Sequence, residues 1–112
     1  MIVIVDYGMG NLGSILNMLK KIGAPPSMIS SDPKEIQGAK KLILPGVGAF
    51  DTGMTNLKAS GLVSILNEQV LVKKIPVLGV CLGMQLLGKG SEEGSENGLG
   101  WIDAESKHFR FE

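Results

Sequence analysis

Several features that would place a protein in a specialised class are scarce in this chain of 112 residues. It has one cysteine, so no disulfide can form within the chain, which fits a reducing compartment. Eleven basic and eleven acidic residues balance, so no strong electrostatic field indicates nucleic acid or a membrane surface as a partner. No apolar run approaches the length that spans a bilayer, and no basic leader precedes the apolar residues 1–5. We therefore expect a cytoplasmic protein that binds neither nucleic acid nor membrane.

Segments with strand patterns and helix patterns alternate along the chain. Residues 1–5 are apolar and mostly β-branched, which is typical of a strand buried on both faces of a parallel sheet. Further strand patterns follow at residues 27–30, 41–44 and 76–80. Helical spacing of apolar residues covers 12–22 and 62–70, and residues 32–35 resemble a capping box with proline at the first helical position. The alternation predicts one α/β domain over residues 1–112, an open and mostly parallel sheet flanked by helices.

The cysteine, Cys81, is the most informative residue. The strand pattern at residues 76–80 continues directly into a helix pattern, with Gly79 and Gly83 on either side of the cysteine. Glycines at these two positions allow a strand and a helix to cross closely, as in a nucleophile elbow, here with a thiol in place of the hydroxyl. A helix N-terminus beside a cysteine favours the thiolate, the nucleophilic form. The alternative is a buried cysteine that behaves as a small apolar residue.

Two further glycine-rich loops follow predicted strands, at residues 6–11 and 45–50. Sites in open α/β sheets lie at the carboxyl ends of the strands, where these loops would meet Cys81. The glycines at positions 8, 10 and 13 also match the dinucleotide-binding fingerprint, with Asp32 near the place of its acidic residue. A nucleotide-binding module therefore stays an alternative, although it leaves Cys81 and the loop at 45–50 unexplained.

Four motifs together resemble class I glutamine amidotransferases. They are VDYGMGNL at residues 5–12, LPGVGAF at 44–50, GVCLGMQLL at 79–87 and SEEG at 91–94. More narrowly, they are similar to the glutaminase subunit of imidazole glycerol phosphate synthase, and the likeness runs through nearly the whole chain. The resemblance implies a flavodoxin-like fold, of which residues 1–112 would be the N-terminal part of one domain, incomplete at its C-terminus.

The resemblance also implies a mechanism. Cys81 would attack the side-chain amide carbon of glutamine, form a glutamyl thioester and release ammonia, after which water would release glutamate. The oxyanion would be bound by the backbone N–H of Leu82 and, after a peptide flip, by that of Val47; preorganised donors of this kind stabilise such intermediates. The residues that match positions lining the glutamine pocket are Gly48, Gln85 and Glu93. We expect neither a cofactor nor a metal site.

Met9, Gly10 and Asn11 match a loop that faces the synthase partner in this family. The resemblance implies a heterodimer with a (β/α)8-barrel cyclase subunit, to which the ammonia passes in histidine biosynthesis. None of this partner assignment follows from composition or spacing.

Two departures from the family pattern limit these expectations. The family completes its catalytic triad with a His-Pro-Glu-like segment near the C-terminus, whereas the only histidine here is His108, in a segment typical of an exposed strand or turn. A nucleophile needs an oriented base, so we predict that the 112 residues alone are inactive or nearly so. Residues 101–112 carry possible strand patterns, but such a tail after four strands indicates a truncated chain.

The second departure concerns the acceptor. Residues 87–91 and 98–105 look more like paralogues that serve sugar amidination in surface polysaccharide synthesis. A non-catalytic amidotransferase-like module, and a different elbow-cysteine protein such as a chaperone or peptidase relative, also stay open.

Overall fold

Four parallel strands form the central sheet of the computed structural model, which describes residues 1–91, 94, 96–102 and 105–106. The strands are β1 (Ile2–Val5), β2 (Ser27–Ser30), β3 (Lys41–Leu44) and β4 (Val77–Gly79). Their order is β2-β1-β3-β4, and Ile2 of β1 lies between Ser27 and Lys41 in the register. This is the first part of the flavodoxin-like strand order, so the predicted fold class is confirmed.

Within the residues just given, five α-helices connect and flank the strands. They are α1 (Leu12–Lys21), α2 (Pro33–Gln37), α3 (Phe50–Ala59), α4 (Val63–Asn67) and α5 (Leu82–Leu86). The helix α4 continues directly into a π-helical turn, Glu68–Val72. A second, two-stranded parallel sheet pairs β5 (Gly90–Ser91) with β6 (Glu105–Ser106). No helix in the described part of the chain is long and apolar enough to cross a membrane.

The helix α3 is absent from the sequence prediction. Its buried residues Phe50, Gly53, Met54 and Leu57 have the helical spacing i, i+3, i+4 and i+7. The pattern is weak in the sequence because one of the four buried positions is a glycine and the residues between them are mostly polar. Gly53 is buried because its missing side chain leaves room for the Leu82 side chain. The pattern was present, but its packing partner lies 29 residues further along the chain, as the numbering of Gly53 and Leu82 shows.

The capping box predicted at residues 32–35 forms only in part. The Asp32 carboxylate accepts a hydrogen bond from the Lys34 backbone N–H at 2.9 Å, as an N-cap should. In a complete capping box the Glu35 carboxylate would accept the Asp32 backbone N–H directly. Here the Ser30 hydroxyl lies between them: it accepts the Asp32 N–H and donates to Glu35 at 2.7 Å. The cap thus joins the end of β2 to the start of α2.

The two faces of the sheet are covered unequally. Because side chains alternate along a strand, Val3 and Val5 point to one face and Ile2 and Ile4 to the other. Residues from α2, α3, α4 and α5 pack on the first face, whereas α1 is the only helix that packs on the second within the described part of the chain. An apolar groove of about 240 Å³ remains there, and Leu78 at the centre of β4 is 58% exposed. Parallel strands are normally covered on both faces, so the described residues leave exposed a sheet surface of the kind that is usually buried.

Candidate active site

Three loops meet at the carboxyl ends of β1, β3 and β4, as the sheet topology requires. The Tyr7 hydroxyl donates a hydrogen bond to the Pro45 carbonyl. A Cβ atom added to Gly10 would lie 3.1 Å from the Gly46 nitrogen, so these two backbone segments touch. The Leu82 N–H donates to the Gly46 carbonyl at 3.1 Å. The three glycine-rich motifs therefore form one continuous surface.

Cys81 lies on a tight turn between β4 and α5. Its φ of 54° and ψ of −120° belong to a region that non-glycine residues rarely adopt, which is the strain of a nucleophile elbow. The Met84 N–H donates to the Cys81 carbonyl at 3.0 Å and so starts the helix behind it. The thiol is free and exposed. The predicted strand–turn–helix geometry is confirmed and the buried-cysteine alternative is wrong; the catalytic role of the thiol stays a prediction.

The two glycines that flank Cys81 make this crossing possible. A Cβ atom at Gly83 would overlap the Leu44 carbonyl oxygen, and one at Gly79 would lie 2.6 Å from the Met84 Cα. Neither neighbour is a flexible side chain, so neither can yield without moving the sheet or the helix. Both positions therefore require glycine for the close packing that raises Cys81 to the surface.

The predicted oxyanion donors are not both available in this arrangement. The Gly46 carbonyl accepts the Leu82 N–H, so this donor is occupied. In a trans peptide the carbonyl and the N–H point in opposite directions, and the Gly46–Val47 bond is trans. The Val47 N–H therefore points away from Leu82, and the peptide must turn over before the two donors can face one atom. Val47 itself is 57% exposed.

The predicted glutamine-pocket residues lie in different environments. Gly48 follows Val47 with a φ of 107°, and its Cα faces the Met9 side chain. Gln85 lies one helical turn after Cys81 and is half-buried on α5. Gln85 thus lies on the helix that follows the thiol, and Gly48 lies in the loop whose Gly46 carbonyl accepts the Leu82 N–H. Glu93 and His108 lie outside the described residues.

The loop predicted to face a partner contacts the candidate site directly. Met9 and Gly10 are half-buried against the segment at residues 45–48, whereas Asn11 is exposed and caps α1. Any molecule that displaced this loop would therefore act on the backbone beside Leu82.

Asp51 makes a long-range contact that the sequence reasoning missed. Its carboxylate, in the first turn of α3, accepts the Glu96 backbone N–H at 2.8 Å. This bond ties Glu96 to α3, which packs against the elbow helix α5. The signal was an acidic residue in a first helical turn, which is common and by itself carries no information about a distant partner.

Tyr7 was also missed. It is 5% exposed, and burial raises the pKa of its hydroxyl to about 12. The hydroxyl is therefore neutral at physiological pH and acts as a donor to Pro45. In the sequence it stands within a glycine-rich loop, where an aromatic residue gives no indication of burial.

We expect the tyrosine absorbance of the folded chain to titrate near pH 12. The chain contains one tyrosine, so the tyrosinate signal reports Tyr7 alone. Because folding raises this pKa above the ordinary value of about 10, the stability it contributes is complete below pH 10 and is lost as the pH rises towards 12. The same chain in denaturant is the control and should titrate near 10. A midpoint near 10 in the folded chain would contradict the buried donor.

The dinucleotide alternative gains no support from the geometry. The Asp32 carboxylate, the candidate ribose ligand, is engaged with the Lys34 N–H. Gly10, one of the three fingerprint glycines, lies against Pro45 and Gly46. Among the residues that the structure describes, no group of three or more histidine, cysteine or acidic side chains could hold a metal ion.

Comparison with known proteins agrees with the motifs. The sequence model of the family described as "Glutamine amidotransferase class-I" matches residues 3–103. Imidazole glycerol phosphate synthase subunit HisH 2 of Pseudomonas aeruginosa is 60% identical over 109 residues, which are 97% of this chain and 54% of that protein. The subunit HisH 2 of Methanococcus maripaludis is 58% identical over 98% of this chain and 54% of its own length. The subunit HisH of Leptospira borgpetersenii is 46% identical over 100% of this chain, again with 54% of its own length.

A solved structure agrees in fold. A crystal structure described as a glutamine amidotransferase superimposes with a TM-score of 0.75, covering 94% of this chain and 55% of that one at 23% identity. The chain thus spans about half the length of the relatives it matches. The family match over most of the chain and the elbow geometry at Cys81 lead to one conclusion: the chain belongs to the class I glutamine amidotransferase family.

Proposed function

We propose that this chain is the nucleophile-bearing part of a glutamine amidotransferase subunit that releases ammonia for imidazole glycerol phosphate synthase. The observation that carries the proposal is the exposed thiol of Cys81 on a strained turn with the Leu82 N–H beside it. Relatives named as subunits of that synthase, at 46 to 60% identity, support the choice of pathway. The wider family alone would not select a substrate for the ammonia.

The proposed reaction proceeds in two steps. The Cys81 sulfur attacks the amide carbon of glutamine, and the amide nitrogen takes up a proton and leaves as ammonia. Water then attacks the thioester, which returns the thiol and releases glutamate. Negative charge collects on the former amide oxygen in both steps, and the N–H groups of Leu82 and Val47 would bind it once the Gly46–Val47 peptide has turned over and released the Leu82 N–H. Gly48, Gln85 and Glu93 would hold the rest of the glutamine.

This mechanism needs a general base and a residue that orients it, and we expect both outside residues 1–112. No His-Pro-Glu segment is present in the sequence, and a thiol nucleophile requires a base that is oriented by a third group. The open groove beside α1 and the exposed Leu78 are where further secondary structure would complete the sheet. We therefore propose that residues 1–112 are the N-terminal part of a larger domain whose remainder supplies the base and covers this face. In the complete protein, a barrel-shaped synthase subunit would receive the ammonia.

A hybrid protein tests the proposal most directly. In it, residues 1–112 of this chain replace the matching stretch of the Pseudomonas aeruginosa relative, so that the remainder of the domain is present. We expect a chloroketone analogue of glutamine to label Cys81 of the hybrid once, as located by peptide mass spectrometry. L-Glutamine should slow the labelling because it occupies the same pocket, whereas D-glutamine should not.

Two comparisons make this labelling specific. The Gln85→Ala hybrid should lose the protection by L-glutamine while its reaction with iodoacetamide keeps the same rate. The Cys81→Ser hybrid should take up no label at that position. Equal effects of the two glutamine enantiomers, or labelling elsewhere only, would contradict a glutamine pocket at Cys81.

A second candidate function differs only in the acceptor. The sequence at residues 87–91 and 98–105 favours a paralogue whose ammonia serves sugar amidination in surface polysaccharide synthesis. The two candidates share the glutaminase step. They are distinguished by measuring glutamate release with each type of synthase partner, because the correct partner should stimulate it.

A further inference from the structure

Tyr7 contacts the backbone that occupies the Leu82 N–H. Its hydroxyl donates to the Pro45 carbonyl, and a Cβ atom added to Gly46 would lie 2.6 Å from the same hydroxyl oxygen. The Tyr7 ring and hydroxyl therefore lie directly against the Pro45–Gly46 peptide. The side chain is almost fully buried, so no water competes for this position.

The neighbouring peptide is the one that covers the oxyanion donor. The Gly46 carbonyl accepts the Leu82 N–H at 3.1 Å, and it follows the Pro45 carbonyl by one residue. Proline fixes its own φ and has no N–H, so the Pro45 carbonyl is the polar group by which this end of the segment is held. Turning the Gly46–Val47 peptide over requires rotation about ψ of Gly46 and φ of Val47. The first of these bonds begins at the Gly46 Cα, which is joined to the Pro45–Gly46 peptide that Tyr7 holds.

We propose that Tyr7 is a positioning residue: its hydrogen bond to Pro45 holds the Gly46 carbonyl on the Leu82 N–H and so keeps the oxyanion site closed. The proposal rests on the proposed function, because the Leu82 N–H matters only if it stabilises an oxyanion. Tyr7 belongs to the same loop as Met9, Gly10 and Asn11. A partner that moves this loop would therefore loosen the Tyr7–Pro45 bond and release the donor.

The alternative is that Tyr7 has only a structural role, as a buried tyrosine whose hydroxyl is hydrogen-bonded because buried hydroxyls usually are. In that case its loss would weaken the whole fold evenly. A positioning role would instead loosen one hydrogen bond more than the others, and amide hydrogen exchange measures this residue by residue.

The experiment compares amide exchange in the ¹⁵N-labelled 112-residue chain with that of its Tyr7→Phe variant. We expect the Leu82 amide to exchange about five-fold faster in the variant, the effect of losing one hydrogen bond, relative to strand amides such as that of Ile4. Ser60→Ala is the matched control, because it also removes a hydroxyl that donates to a backbone carbonyl, that of Leu57 at 2.5 Å. This control should leave Leu82 exchange unchanged relative to Ile4.

A second variant covers the case in which Tyr7→Phe does not fold. Replacing the single tyrosine with 3-fluorotyrosine keeps the ring and the hydroxyl but makes the phenol a stronger donor, so Leu82 exchange should slow. An equal change at Leu82 and in the strands, or no change at Leu82, would overturn the proposal. Neither measurement uses glutamine, so failure of the glutaminase assignment in the hybrid protein would be seen separately.

Discussion

Replacing Cys81 with serine in the hybrid protein is expected to lower kcat for glutamine hydrolysis by at least about 10³-fold. A hydroxyl is a far weaker nucleophile than a thiolate, and serine keeps the size of the side chain on the strained turn. Glutamate release in the presence of the barrel-type synthase partner is the measurement. The KM for glutamine should change little, because the proposed pocket residues Gly48 and Gln85 are not altered.

Stability provides the control for this substitution. Cys81 is exposed and serine is nearly the same size, so the free energy of unfolding should change by less than about 0.5 kcal/mol. A Cys81→Ser hybrid that kept even a tenth of the activity would show that another residue carries the reaction. The proposed function would then fail although the family assignment would stand.

Replacing Gly83 with alanine is expected to destabilise the chain by about 3 kcal/mol or more. The new Cβ would overlap the Leu44 carbonyl oxygen, so β3 and α5 would have to separate at the site itself. Because small domains are stable by only about 5–15 kcal/mol, this is a large fraction of the total. Chemical denaturation can be followed by the fluorescence of Trp101, whose indole N–H donates to Asn67 at 2.7 Å.

Gly13→Ala is the matched control for this second prediction. Gly13 lies in α1, and an added Cβ atom meets nothing within 4 Å. Alanine should therefore stabilise the helix by about 0.5–1 kcal/mol, because it reduces the backbone freedom of the unfolded chain. If Gly83→Ala were as stable as the native chain, the close crossing of strand and helix at the elbow would be wrong.

Much of the fold was predictable because its signals are local. Three of the four strands in the central sheet are short, mainly apolar runs, whereas β2 (SMIS) gives a weaker signal, and the segments at 12–21 and 63–72 have apolar residues at helical spacing. The elbow was predictable for the same reason, since Gly79, Cys81 and Gly83 stand within five residues. The helix α3 was missed because Gly53 belongs to its buried face only through contact with Leu82, which local spacing does not reveal.

The sequence alone was sufficient to locate the strand segments along the chain, to identify the nucleophile candidate and, by its motifs, to indicate the family. Only the tertiary structure decided how the candidate site is arranged. It placed the Gly46 carbonyl on the Leu82 N–H, turned the Val47 N–H away and buried the Tyr7 hydroxyl against Pro45. It also left one face of the sheet open beside α1. These features depend on contacts between residues more than thirty positions apart, and the direction of a single peptide group has no signature in the order of side chains.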